Sequence, residues 1–417
     1  MRIWRIVLVV FLVLPLSAQV TGLLTQRGRT VFPIGSYEMP KTDAGLKAMA
    51  EAGINLVRCG NAADLDRAAA AGMLGWVSLP LQIGDDPKGT LRKSINTLKG
   101  HPALAVWEGP DEVVWNFTAL SQLYKNGIHK VKGEWWLQTP NAVSYAEKEA
   151  AGIMPKLREG ARLVRTLDPK RRPIWVNEAA KSDLGYIRQY IDSIDITGCD
   201  IYPIHEKEKD PAVAADYTDR FKAIGRGHPV WMVLQAFSWG NLKGYSTEAV
   251  TYPTFDETRL MAYDSLTHGA RAILYWGSAY LPPEETAFRD SILAMTSELA
   301  ALQPFLVAPE DKTVRVKLIE SEGRGQVGDR GVSWMARRAG TEWLIVLANE
   351  DAREHMGVEV SGLGLLNGRS LHELYTANST KVSRGEIVVR LMPDQVKVYS
   401  TSRKFETAHR TGRDYTR

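Results

Sequence analysis

The stretch Ala103-Leu-Ala-Val-Trp-Glu-Gly-Pro-Asp-Glu112 decides how this chain is read. It opens apolar and turns polar and aromatic at Trp107, Glu108, Gly109, Pro110, Asp111 and Glu112. A short apolar run, bounded by His101-Pro102 before and Gly109-Pro110 after, reads as a buried strand that stops and turns. Asp111 and Glu112 then stand just past the C-terminal end of a strand. In a (β/α)8 barrel, that end of the strands is where chemistry is done. The alternative is a solvated acidic loop tip, and the flanking pattern decides between them.

Outward from this stretch, short apolar strands alternate with helical segments. Strands are expected over residues 31–37, 54–58, 74–81, 103–108, 173–177, 194–199, 229–234 and 272–276. Alternation of this length argues for parallel βαβ units, and eight of them are what a closed barrel needs. An open doubly wound sheet is the alternative. Residues 113–142 are too many for a plain βα loop and predict a lid or cleft wall, with a helix over 144–167. After a helix over 290–302 the pattern changes. Seven short strands (314–319, 332–337, 342–348, 356–360, 370–374, 387–391 and 396–400), separated by Gly, Asn and Asp turns, predict an antiparallel β-sandwich.

The chain has 417 residues, 44% hydrophobic and 24% charged, the composition of a globular protein. A net charge of +4 without a basic, aromatic-interleaved run argues against a nucleic-acid partner. The N-terminus is basic at Arg2 and Arg5, apolar over 6–16, and small at Ser17-Ala18. That is the pattern of a Sec-type signal peptide cleaved after Ala18, which predicts a secreted or periplasmic protein. An uncleaved N-terminal anchor is the alternative, and no other membrane contact is expected. The expected organisation is a signal peptide over 1–18, the barrel over 19–302, the β-sandwich over 303–403 and a disordered tail over 404–417. Cys59 and Cys199 fall on well-separated strands and read as free, buried thiols. No His/Cys cluster has metal-ligand spacing and no Gly-rich phosphate loop precedes a helix, so neither metal nor cofactor is expected.

Residues at the strand ends converge on one mouth. Strand one contributes Tyr37 and Glu38, and strand two Arg58 and Asn61. Strand four brings Trp107, Glu108, Asp111 and Glu112, and strand five Asn177 and Glu178. Asp200 and Tyr202 come from strand six, Gln235 from strand seven, and Trp276, Ser278 and Tyr280 from strand eight. Carboxylates, amides and flat rings together suit a sugar, whose apolar faces stack on aromatics while its hydroxyls are gripped by polar groups. Glycoside hydrolysis needs two carboxyl groups flanking the bond. Each residue also has a plainer role. Trp107 and Trp276 can fill space, Glu178 can cap a helix, Gln235 can tie loops together, and Arg58 can pair a mouth carboxylate.

The order of these motifs resembles the glycoside hydrolases of clan A over residues 31–302, and the sandwich resembles the accessory domain that many such enzymes carry. An Asn-Glu pair ends strand four in that clan. The resemblance implies Glu112 as general acid/base with Asp111 in place of the Asn. Val57-Arg58 matches the clan's strand-two Arg, Tyr202 its strand-six aromatic, and Tyr275-Trp276-Gly277 its strand-eight Trp. One departure is serious: the clan's nucleophile is a Glu ending strand seven, and here Val233-Leu-Gln235 ends it. An amide cannot form the glycosyl-ester intermediate. Three explanations stay open. Glu178, Asp200 or Glu38 can act as the partner carboxylate. The sugar's own acetamido group can be the nucleophile, as in hexosaminidases with an adjacent Asp-Glu pair. Or the barrel binds carbohydrate without cleaving it. The expectation is an exported glycoside hydrolase acting on a poly- or oligosaccharide. Its catalytic residues would be Glu112, Asp111 and Glu178, with Tyr37, Glu38, Arg58, Trp107, Asp200, Tyr202, Gln235, Trp276 and Tyr280 binding substrate.

Overall fold

The computed structural model describes residues 21–81, 87–321 and 330–408. The expected signal peptide and the chain after Ala408 lie outside the described residues. Eight parallel strands close a barrel: β1 (Ile34–Ser36), β2 (Leu56–Cys59), β3 (Leu74–Ser78), β4 (Leu104–Glu108), β5 (Ile174–Ala179), β6 (Ile196–Ile201), β7 (Val230–Gln235) and β8 (Ala272–Trp276). β8 pairs with β7 on one side and β1 on the other, with Trp276 opposite Gln235 and Tyr275 opposite Ser36. The fold is therefore the expected (β/α)8 barrel and not an open sheet. Cys59 and Cys199 are free and buried.

The first strand starts later than expected. Val31 belongs instead to a hairpin, Leu24–Gln26 with Arg29–Val31. Pro33 has no N–H to give a ladder and divides the two elements. The hairpin covers the N-terminal end of the barrel, where the Gly22 carbonyl accepts the Trp231 indole N–H at 2.9 Å. The long helix Pro140–Leu167 begins four residues before 144, because Thr139 caps it and Pro140 takes its first position. The helix Phe255–Thr267 opens with a capping box between Thr254 and Glu257.

Side chains alternate along each strand, one set into the barrel and the next toward the helices. The inward set is heavily aromatic, which accounts for several of the twelve tryptophans. Trp76, Trp175 and Trp231 fill the interior, with centroids 6.1 Å apart for Trp76–Trp175 and 5.3 Å for Trp175–Trp231. Tyr37 lies edge-on to Trp76 at 5.3 Å. Gly198 on β6 makes room for this layer, since a Cβ there would stand 2.8 Å from the Trp175 ring.

The second domain is a β-sandwich. Its strands are β9 (Arg315–Ser321), β10 (Val332–Ala339), β11 (Glu342–Asn349), β12 (Met356–Ser361), β13 (Ser370–Glu373), β14 (Ser379–Lys381), β15 (Ile387–Leu391) and β16 (Val396–Ser400). β9, β12 and β15 form one antiparallel sheet; β10, β11, β16, β13 and β14 form the other. β14 was not anticipated; its three polar residues carry no apolar alternation. Ile345 and Leu347 of β11 face the inter-sheet core with Trp343, while Leu344, Val346 and Ala348 face the barrel's helices. β11 is thus buried on both faces, and its apolar run is continuous. Lys404 and Phe405, expected to open a disordered tail, are instead ordered: Arg403–Phe405 forms a 3-10 turn, and Phe405 is buried with its ring 4.7 Å from that of Phe305. Among the described residues, no helix is long and apolar enough to cross a membrane.

Behind the barrel wall, Asp168 accepts from the Trp107 indole at 2.9 Å and from the Arg172 guanidinium at 2.8 Å, all buried. Replacing Asp168 with Ala leaves a buried cation unpaired, and urea denaturation should register a loss of about 3–5 kcal/mol. A loss under about 1 kcal/mol would mean that this buried pair does not hold β4 to the helix layer.

Candidate active site

Alternation sorts the strand-end residues. On β4, Val106 points into the barrel, so Glu108 does too and Trp107 points out. On β5, Trp175 and Asn177 point in and Glu178 points out. Two expected site residues are corrected here. Trp107 sits in the helix layer on Asp168. Glu178 accepts from the Val114 N–H at 3.0 Å, the Ser182 hydroxyl at 2.9 Å and the Tyr190 hydroxyl at 2.9 Å, so it caps the turn after β4 from outside the mouth. A third correction is Gln235. It is fully buried, its oxygen accepts from the Ile204 N–H, and its amide donates to the carbonyls of Ile204 and Phe237. Those bonds tie two loops together and leave no amide hydrogen for a ligand. Asn61 caps the helix Ala62–Ala70.

The structure brings the other residues together. Asn177 donates one amide group to both Asp111 (3.1 Å) and Asp200 (3.0 Å). Asp200 in turn shares a hydrogen bond with Glu112. Glu112 occupies a left-handed backbone conformation (φ 50°), and its N–H donates to the Asn177 carbonyl at 2.9 Å. A non-glycine residue held there is strained by roughly 1–3 kcal/mol, a pattern that clusters at functional sites. Burial raises the pKa of all three carboxyls. Glu112 is pushed up to about 7, first by burial and then by the charge of Asp111. Burial also raises Asp111, opposed by the Asn177 bond. Asp200 rises well above the usual carboxylate range, by burial and then the charges of Glu112 and Asp111. The cluster thus retains protons near neutrality.

Below it, Arg58 donates to Glu108 at 3.0 Å and to the Ser78 hydroxyl at 3.0 Å, and its guanidinium lies 5.3 Å from the Tyr37 ring centroid. Glu108 is fully buried, and burial lifts it to about 7 despite Arg58. Among the described residues, Tyr37 Oη, Glu108 Oε1 and Asn177 Oδ1 are buried without a hydrogen-bond partner. On the β8–β1 side, Glu38 accepts from the Gly277 N–H and the Ser278 hydroxyl, both at 2.8 Å. Burial raises Glu38 against those two donors. Tyr202 stacks on Trp276, centroids 5.2 Å apart at 24°, with Phe237 edge-on to both. Gly277 is required there: its φ is 105°, and a Cβ would meet Phe237 at 2.4 Å. Tyr280 extends the aromatic surface to the rim, 47% exposed and 5.4 Å from Trp276.

The segment after β4 folds into short helices, Val113–Phe117 and Gln122–Lys125. Gln122 and Lys125 reach Tyr245 and Gly244 on the loop after β7, so the segment stands on the mouth side of the barrel. Sequence reasoning missed Ser78 and Phe237. Ser78 follows the inward parity of Trp76, a signal that was available. Phe237 lies beyond the strand, where parity ends.

No protein-family model matches the chain, and no curated protein sequence matches it. Solved structures do match. The β-galactosidase from Bacillus circulans sp. alkalophilus aligns with a TM-score of 0.57 at 9% identity, over 89% of this chain and 99% of that one. The α-amylase from Geobacillus thermoleovorans, complexed with acarbose, aligns with a TM-score of 0.50 at 10% identity, over 88% and 97%. For the β-galactosidase from the psychrophilic Marinomonas ef1 the values are 0.45 and 14%, over 65% of this chain and 60% of that one, so the chain spans less than two thirds of that enzyme. At these identities the likeness is one of fold. The chain shares the (β/α)8-barrel fold of these glycosidase structures, followed by a β-sandwich.

Burial lifts Glu178 from an ordinary 4.5 to about 7. The folded state therefore keeps a proton that the unfolded chain releases. Its contribution to stability is complete below pH 4.5 and falls away as pH rises to about 7. Glu178→Gln cannot titrate, so its urea midpoint should decline less than the wild type's across that window. Parallel curves would mean that Glu178 ionises normally in the fold.

Proposed function

We propose that this protein is an exported glycoside hydrolase that cleaves O-glycosidic bonds in a poly- or oligosaccharide, with Glu112 as general acid/base. The observation that carries this reading is a proton-holding carboxyl cluster, Asp111–Glu112–Asp200, in a barrel mouth that also presents the stacked Tyr202–Trp276 pair. A general acid must be protonated at working pH, and a buried carboxyl with a pKa near 7 satisfies that. The rings offer a surface for a sugar face. Arg58, Tyr37, Glu108 and Asn177 line the floor with polar atoms suited to hydroxyls.

The second carboxylate in this proposal is Glu38. Glu178 is turned outward. Asp200 is hydrogen-bonded to Glu112, far closer than the roughly 5–5.5 Å or 6.5–9.5 Å that retaining or inverting hydrolysis needs. Glu38 comes from the opposite side of the mouth, and both it and Glu112 act electrostatically on Tyr202. Burial raises its pKa, and the Gly277 and Ser278 donors oppose that rise by favouring its anionic form. A second reading has support in Asp111. With Gln235 tied to backbone, a substrate acetamido group oriented by Asp111 would replace the protein nucleophile, and the substrate would be an N-acetylhexosaminide. The basic, apolar and small-residue order of residues 1–18 supports export.

Turnover of a panel of aryl glycosides, N-acetylhexosaminides included, by the chain beginning at Gln19 tests these roles. Glu112→Gln should lower kcat by about 10²–10⁴-fold, and Glu38→Gln should do the same if Glu38 is the partner. An unaffected Glu38→Gln with an N-acetylhexosaminide preferred would select substrate assistance. Full activity in Glu112→Gln would remove the assignment. Sugar binding without turnover would make the barrel a carbohydrate-binding module. The pH profile adds a check: kcat/KM should fall as pH rises through about 7, and Asp111→Asn should move that limb to lower pH, because it removes a charge that holds the Glu112 proton.

A further inference from the structure

At the seam between the two domains, the helix Phe255–Thr267 carries Asp264, and His268 caps its C-terminal end one turn later. A spacing of four puts both side chains on one helix face. Glu350, just past β11, comes to them from the sandwich. His268 Nε2 lies 2.9 Å from Glu350 Oε1 and 4.0 Å from Asp264 Oδ1. One ligand atom from each of the three residues falls within 4.8 Å of the other two. Bond lengths of about 2.0–2.2 Å to a common ion would place such atoms about 3–4.4 Å apart, so the three already stand nearly at coordination distance.

Three further observations point to a cation here. Asp264 is fully buried, and its Oδ2 has no hydrogen-bond partner among the described residues. The Asp264 and Glu350 carboxyls lie within hydrogen-bond reach of each other, a like-charge contact that His268 offsets from one side and a bound cation would relieve further. The other imidazole nitrogen, Nδ1, is 2.9 Å from Asp219 Oδ2. A carboxylate on that nitrogen orients the ring so that Nε2, now bonded to Glu350, faces the two other ligands. Charge balance agrees. Lys222 pairs with Asp219 at 3.2 Å. Binding would displace the Nε2 proton that now bridges His268 to Glu350, and Asp264 and Glu350 would then bring the two negative charges that a dication neutralises. Ser333 supplies a hydroxyl 2.7 Å from Asp264 Oδ1, and Thr267 backs it at 2.8 Å.

We propose that Asp264, His268 and Glu350 form a divalent-metal site that clamps the barrel to the β-sandwich. One imidazole nitrogen and two carboxylate oxygens suit a first-row transition ion of the zinc or manganese class better than calcium, which takes six to eight oxygens. His268 and Glu350 are only partly covered, with side chains 22% and 15% exposed, which gives an ion a path in. The site lies outside the barrel mouth and does not rest on the glycosidase reading. The sequence hides it because Glu350 follows His268 by 82 residues.

The test is calorimetric titration of the chelator-stripped chain with Zn2+, Mn2+ and Ca2+ separately, with metal analysis after desalting. Zn2+ or Mn2+ should bind at one equivalent, and a hundredfold excess over the dissociation constant should raise the thermal midpoint by roughly 3–5 °C. His268→Ala and Asp264→Asn should each lose both effects. If one variant fails to fold, the other and the wild-type titration still decide. No saturable uptake by the wild type overturns the proposal. So does uptake that survives both substitutions, or tighter binding of Ca2+ than of Zn2+ and Mn2+.

Discussion

A single amide holds the mouth of this barrel together. Asn177, at the end of β5, donates to Asp111 on the loop after β4 and to Asp200 at the end of β6. Three adjacent barrel positions are thereby fixed to one another, and Glu112 is drawn in through Asp200. Fully ionised, three acids at this separation would repel strongly in a site that excludes water. They persist because the amide satisfies two of them and retained protons relieve the rest. The same constraint explains the backbone at Glu112, whose N–H is held by the Asn177 carbonyl while φ is positive.

The floor under the cluster is set by packing. Trp76, Trp175 and Trp231 fill the barrel below, and Tyr37 caps them. This layer keeps the interior dry, and dryness lifts Glu108 to about 7 even with Arg58 bonded to it. Packing and charge tuning are therefore linked: a smaller side chain in the tryptophan layer would admit water and return the carboxyls toward ordinary values. The aromatic wall of Tyr202, Phe237 and Trp276 depends on Gly277, whose lack of a Cβ lets Phe237 lie against the end of β8.

Much of this was legible in the sequence. Strand ends and turn residues placed Glu112, Asp111, Asp200, Tyr202, Trp276, Arg58 and Glu38 at one mouth, because strand order in a barrel fixes which termini converge. Trp107 and Glu178 were misread for a simpler reason. Side chains alternate with period two, and both residues fall on the outward beat, one position from Glu108 and Asn177 on the inward beat. Gln235 illustrates a different limit. Its parity is inward, yet the loops after β6 and β7 take up its hydrogen bonds, and loop backbone positions are not written in strand patterning. The hairpin before β1 and the short polar strand β14 were missed because three-residue strands carry too little periodicity to detect.

The central claim is that the Asp111–Glu112–Asp200 cluster holds a proton at neutral pH, and carboxyl-labelled NMR titration of the full chain, with Glu112→Gln used to assign the signal, measures it directly. The account predicts a Glu112 carboxyl that titrates near 7, coupled to its two neighbours. A Glu112 carboxyl that ionises at its ordinary 4.5, with Asp200 likewise near 3.8, would contradict it. The mouth would then be a hydrated acidic surface with no group poised to donate a proton.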